Sequence, residues 1–119
     1  MGLNIYTNIG GFPVVSKVVM DFYDHVLDSD VVGDFFDGID MPKQIDHQTK
    51  FVSSLLGGPA SYSDEQLKSI HSRLSIKSVH FDEILRLLDM ALEENGLDQE
   101  VRNLVAREME LRRPFIVNS

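Results

Sequence analysis

The stretch from Phe35 to Phe51 reads FFDGIDMPKQIDHQTKF and joins a Gly/Asp-rich corner to the start of an amphipathic helix. The helix is predicted to begin at Met41-Pro42 and to run to Leu56, because Gly57-Gly58-Pro59 then interrupt it. Its apolar residues recur at helical spacing and indicate a face that points into the protein. The narrow sector that forms this face contains Gln44, Gln48, Phe51 and Leu55, with Met41 and Val52 at its edges.

The two glutamines on this inward face need an explanation, because burying an unpaired amide costs roughly 1–3 kcal/mol. A third polar side chain, Tyr23, follows Phe22 in the apolar stripe of the preceding helix, and a buried phenol usually has a partner. Tyr23, Gln44 and Gln48 are therefore a candidate cluster of hydrogen-bond donors that suits a small dipolar ligand. The alternative is that both amides simply reach solvent or backbone near the helix start.

The rest of the chain is also predicted to be helical, since no alternating run is bounded by hairpin turns. Pro13 opens a helix, and a short helical turn is expected from about Asp64 to Ser72. Ser78 and Asp98 are predicted to cap the last two helices, the second of which is expected to continue until Pro114. The helix that follows Pro13 has an apolar stripe formed by Val15, Val18, Val19, Phe22 and Val26.

Composition predicts one soluble, all-α domain over residues 1–119. The formal net charge of -8 disfavours binding to nucleic acid or to an anionic membrane surface. The absence of cysteine excludes disulfides and thiolate metal sites. The amino-terminal residues lack a basic start, and no apolar run approaches the roughly 20 residues that span a bilayer. We therefore expect a cytoplasmic protein.

His71 is the candidate metal ligand, and it shares a helical face with Leu67 four residues earlier. Taken alone, such a histidine is more often a capping or partly exposed residue than a ligand. The Tyr/Gln cluster and the Phe35-Phe36 corner favour the ligand interpretation, because neutral imidazole is a good axial ligand for heme iron.

The ordered motifs of this chain resemble those of the truncated hemoglobins, in particular group I. They extend over nearly the whole chain without a large gap. The resemblance implies a two-over-two helical sandwich around heme b. It also implies non-covalent heme, because relatives with covalent heme use a histidine in the last helix and none follows His80 here. The matching segments are IGG at 9–11, DFYDHVLDS at 21–29, FFDGIDMPKQIDHQTKF at 35–51, LLGGPASY at 55–62, LKSIHSRLSI at 67–76 and HFDEIL at 80–85.

Carried over position by position, the resemblance implies that His71 is the proximal iron ligand and that the Tyr23 hydroxyl donates to bound O2. Gln44 and Gln48 match the two positions that line the ligand side. Phe36 matches a phenylalanine that packs against the heme face. Lys43 matches a cation that meets a heme propionate. The other implied heme contacts are Phe35, Met41, Phe51, Val52, Leu67, Ile76 and Phe81.

His47 leaves two hypotheses open, because it lies next to Gln48 at the rim of the inward face. In the first it binds iron as a sixth ligand, which would suit a bis-histidine (His47/His71) electron-transfer or redox protein. In the second it stays at the heme edge. The resemblance implies a monomer that binds O2, NO and CO. Gas sensing and oxidation of NO to nitrate are further candidate functions, and the latter requires an external reductase.

Overall fold

A computed structural model of the protein describes residues 5–58, 65–66 and 75–118. Within these ranges the chain is helical and contains no strand, so the all-α prediction is confirmed. A short 3-10 helix at Gly33–Phe36 precedes the third α-helix. The α-helices are α1 (Ile5–Asn8), α2 (Phe12–Leu27), α3 (Met41–Leu55), α4 (Ser78–Glu94) and α5 (Gln99–Ile116).

The four long helices form two layers of two, with α2 and α3 in one layer and α4 and α5 in the other. Helix α2 packs against both α3 and α4, and α5 packs against both α3 and α4. Polar contacts define the α2–α4 register: His25 lies 2.8 Å from Glu94, and Ser29 donates to Glu83 at 2.9 Å. Since later residues of α2 meet earlier residues of α4, these two helices are antiparallel.

The inward stripe of α2 forms the centre of the core, as its spacing predicts. Its apolar residues are all at most 6% exposed, because each points towards α3 or α4. Two small polar residues of α3, Thr49 and Ser53, are buried as well. Each satisfies its hydroxyl within the helix, since Thr49 donates to the Ile45 carbonyl and Ser53 to the Thr49 carbonyl. The hydroxyl groups of these two buried residues are therefore paired.

The starts of the last two helices agree only partly with the sequence prediction. Asp98 caps α5 as expected, since its side chain accepts from the Val101 N–H at 3.0 Å. The prediction that Ser78 caps α4 is wrong, because Ser78 is the first helical residue and Lys77 occupies the cap position. His80 satisfies the helix end instead, through Nδ1, which accepts from the Lys77 N–H at 3.0 Å.

Two further features concern chain reversal and helix ending. Gly10 and Gly11 both have positive φ between α1 and α2, a conformation that favours glycine, so they end the first helix. The predicted end of α5 at Pro114 is wrong, since the helix continues to Ile116. Burial of Ile116 in the core and the bond from the Val117 N–H to the Arg113 carbonyl hold this last turn.

Among the described helices none has the length and apolarity that a membrane crossing requires.

Candidate functional site

The predicted donor cluster is centred on Tyr23, which is 2% exposed on the inward side of α2. The Gln44 amide of α3 donates to its hydroxyl oxygen, with an Nε2–Oη distance of 3.1 Å. Because Gln44 supplies the hydrogen of this bond, the hydroxyl hydrogen of Tyr23 is not used in it. No group in the described part of the chain accepts that hydrogen. The bond therefore leaves one buried donor for a ligand.

Burial fixes the protonation state of this donor. Removal of Tyr23 from water raises the pKa of its phenol strongly, and the hydrogen bond from Gln44 lowers that pKa by a smaller amount. Since an ordinary tyrosine already has a pKa near 10, Tyr23 is neutral throughout the physiological range. A neutral phenol keeps its hydrogen, so Tyr23 remains a hydrogen-bond donor.

Gln48 lies one helical turn after Gln44 and is half-buried. Within residues 5–58, 65–66 and 75–118 its side chain makes no hydrogen bond. The alternative that both glutamines reach solvent or backbone is wrong for Gln44, which is bonded to Tyr23. The cluster thus has one glutamine that orients the tyrosine and a second whose amide is not engaged.

Aromatic side chains surround the cluster and extend from α2 to α4. The rings of Tyr23 and Phe36 meet edge to face at a centroid distance of 5.4 Å. The Phe35 ring instead contacts the ring of His80, with a centroid distance of 4.8 Å. The Phe35-Phe36 corner therefore places one ring beside the donor cluster and the other at the start of α4.

Most of the remaining described side chains assigned to cofactor contact are apolar and at least half-buried. Met41 is half-buried and packs against the core. Lys43 is exposed, and no carboxylate in the described ranges lies within ion-pair distance of it. A cation on the outer side of α3 and apolar walls inside suit a flat apolar group with an anionic edge. The buried members are Phe51, Val52, Ile76 and Phe81.

The histidines have different environments. His47 is exposed on α3, about 60° around the helix axis from Gln44. His25 pairs with Glu94, and His80 binds the α4 end through Nδ1. The predicted iron ligand His71 lies outside the described residues, as does Leu67. In the described part of the chain, no three His, Cys, Asp or Glu side chains are grouped to hold a metal ion.

The chain segment that contains Tyr23 is acidic. Residues 18–42, which include Tyr23 and Phe36, contain seven aspartates and no Lys or Arg. The rest of the chain contains 12 acidic and 11 basic residues, so nearly all of the net charge lies in this segment. A negative surface repels anions and leaves uncharged molecules unaffected. For a small molecule beside Tyr23, the charge of this segment therefore favours a neutral ligand over an anionic one.

Two side chains that the sequence analysis did not identify hold the start of α4. The guanidinium of Arg113 stacks over the Phe81 ring at 4.5 Å from its centroid and lies 2.6 Å from an Asp82 oxygen. Asn118 forms two hydrogen bonds with the backbone of Ile76. The Glu110–Arg113 spacing indicates a local ion pair. The contacts to Ile76, Phe81 and Asp82 join distant positions, and no pattern in a single sequence indicates them.

Comparison with known proteins gives a consistent result. The family model described as bacterial-like globin matches residues 4–117. A protein named group 1 truncated hemoglobin from Tetrahymena pyriformis is 35% identical over 106 residues, which cover 89% of this chain and 88% of that protein.

Solved structures give the same result. A crystal structure of truncated hemoglobin from Tetrahymena pyriformis, in the Fe(III) form, superposes with a TM-score of 0.89 at 32% identity, covering 98% of this chain and 100% of that one. A 2/2 hemoglobin from a Synechococcus species, described with covalently attached heme, has the same TM-score at 28% identity and the same two coverages. The two-over-two arrangement predicted from the sequence is therefore confirmed.

Proposed function

This chain belongs to the bacterial-like globins and, within them, to the group 1 truncated hemoglobins, which bind gases at heme, and we propose that it binds O2 tightly and also takes up NO and CO. The proposed iron ligand is His71. The proposed ligand-side residues are Tyr23, Gln44 and Gln48. This assignment is supported by the position of the three polar side chains on the facing surfaces of α2 and α3.

The residues present fit a non-covalent heme b. Such a group supplies an iron that binds diatomic gases, and its porphyrin needs apolar walls and a partner for its propionates. The buried apolar candidates for those walls are Phe51 and Val52 of α3, Ile76 just before α4, and Phe81 on α4. Lys43 is a candidate partner for a propionate. Non-covalent attachment is proposed because no histidine follows His80.

The single observation that carries the proposal is the direction of the bond between Gln44 and Tyr23. Because Gln44 donates, Tyr23 retains a buried O–H for a ligand atom with partial negative charge. A charge-assisted hydrogen bond of this kind contributes roughly 1.5–3 kcal/mol, and each 1.4 kcal/mol is about tenfold in affinity. O2 polarises more than CO when it binds iron, so O2 gains more from this donor. We therefore propose slow release of O2, which argues against simple delivery.

Slow release leaves time for a reaction with a second neutral molecule. We propose oxidation of NO to nitrate, in which NO, O2 and one electron combine to give one nitrate ion. The electron comes from an external reductase. The acidic segment of residues 18–42 supports this proposal, because it admits neutral NO and repels the nitrate product.

Heme titration of the purified chain tests the proposal directly. We expect one heme per chain, a sharp Soret band, and a ferrous spectrum that changes when O2 or CO is added. O2 release measured by stopped-flow displacement should be slow. A chain that gives no Soret band after heme addition would refute the assignment and favour a helical interaction module.

His47 supplies a separate prediction. Because its side chain is exposed on α3, we expect the ferrous, gas-free spectrum to be the same in His47→Ala as in the unaltered protein. Absorption spectroscopy under argon measures this. If the unaltered protein instead gives a sharp six-coordinate spectrum that becomes five-coordinate in His47→Ala, the bis-histidine hypothesis is correct and α3 rearranges when no gas is bound.

A further inference from the structure

The end of α5 is attached to the start of α4 by an arrangement that joins distant parts of the chain. Ile76 donates its N–H to the Asn118 side-chain oxygen at 2.9 Å, and the Asn118 N–H donates to the Ile76 carbonyl at 2.9 Å. One bond uses the Asn118 side chain and the other its backbone N–H. They fix both backbone polar groups of Ile76 to one residue.

A second attachment lies one turn earlier on α5. Arg113 reaches Asp82 at 2.6 Å and stacks on the ring of Phe81, which is 2% exposed. As the residue numbers rise from Arg113 to Asn118, those of the contacted residues fall from Asp82 to Ile76. The contacts therefore form one antiparallel line. We call this line the α5 clasp, and its members are Ile76, Phe81, Asp82, Arg113 and Asn118.

The clasp holds two side chains that are assigned to heme contact, Ile76 and Phe81. Ile76 also follows the proposed iron ligand His71 by only five positions. The two-bond attachment limits how far the backbone of Ile76 itself can move. Heme binding immobilises the axial ligand and the apolar walls, and their loss of conformational freedom costs free energy. Heme is therefore retained better when both are already held in place.

We propose that Asn118 is a positioning residue for heme, acting through the backbone of Ile76, an inference that rests on the proposed function. The amide side chain accepts the Ile76 N–H and so holds the backbone just before α4. Asn118 has no need to touch the heme to do this. Its removal therefore affects heme retention and the iron–histidine bond more than it affects the overall fold.

Asn118→Ala tests this role, with Asn118→Asp as the conservative variant and Asn103→Ala as a matched control. Asp keeps an oxygen acceptor for the Ile76 N–H. Asn103 is an exposed asparagine within α5, and it accepts a hydrogen bond from Gln99 of the same helix. The measurements are amide hydrogen exchange at Ile76, heme transfer to an excess of a high-affinity apoprotein, and the iron–histidine stretching band of the ferrous protein.

We expect Asn118→Ala to lose heme about fivefold faster and to exchange the Ile76 amide about fivefold faster, the change that corresponds to one net hydrogen bond. Its iron–histidine band should shift or broaden, whereas Asn118→Asp and Asn103→Ala should match the unaltered protein. Unchanged heme loss in Asn118→Ala overturns the inference, and so does an equal increase in Asn103→Ala. A lower melting temperature with an unchanged band overturns it as well. If the unaltered chain takes up no heme, the proposed function fails first and this inference fails with it.

Discussion

His71→Gly is expected to raise the rate of heme loss by more than about a hundredfold, and added imidazole is expected to restore the absorption spectrum. Loss of a group that merely orients a metal ligand costs 10–100-fold in metal affinity, so loss of the proposed proximal ligand itself should cost more. Glycine removes the side chain and leaves space for free imidazole to take its place. The measurement is heme transfer to an apoprotein acceptor, with and without imidazole.

His25→Gln is the matched control for this experiment. His25 pairs with Glu94 between α2 and α4 and is not part of the donor cluster. Its replacement removes a partly exposed side-chain contact, which contributes little to stability, so heme loss should not change. An unaltered spectrum in His71→Gly without imidazole would refute the assignment of His71, and equal heme loss in His25→Gln would show that any histidine change weakens binding.

The helices were predictable because their apolar faces repeat at helical spacing. The stripe of α2 from Val15 to Val26 is buried as predicted, and the glycines at Gly10 and Gly11 end the first helix. Periodicity reports which face is buried, and glycine reports where the backbone needs positive φ. Both are local properties of the sequence.

Helix ends were harder to predict, because they depend on contacts with other parts of the chain. Ser78 has the residue type of a cap, yet His80 supplies the group that accepts the Lys77 N–H, and its ring is held against Phe35. Pro114 normally ends a helix, yet burial of Ile116 keeps the next turn in place. In both places tertiary packing decides between local alternatives.

The local features of the candidate site were likewise predictable, whereas its contacts between distant residues were not. The sequence placed Tyr23 and Gln44 on inward faces of neighbouring helices, and the structure brings them within one hydrogen bond. The direction of that bond could not be predicted, since either group can donate. The α5 clasp could not be predicted either, because Asn118 and Ile76 are 42 positions apart.

Tyr23→Phe is expected to raise the O2 dissociation rate by about ten- to a hundredfold, the effect of losing a charge-assisted hydrogen bond of roughly 1.5–3 kcal/mol. The CO dissociation rate should change much less, because bound CO carries less charge. Phenylalanine retains the ring contacts with Phe22 and Phe36, so packing is preserved. Stopped-flow displacement of O2 and of CO measures both rates.

Tyr6→Phe is the matched control, because Tyr6 is a half-buried tyrosine on α1 with no assigned role in the pocket. It should leave both rates unchanged. Tyr23→Phe also releases the Gln44 amide from its acceptor, so part of the effect could be offset if that amide turns to the ligand. Tyr23→Phe combined with Gln44→Leu removes this compensation and should give the larger increase. If O2 dissociates at the original rate even in the double variant, Tyr23 does not stabilise the ligand and its proposed role is wrong.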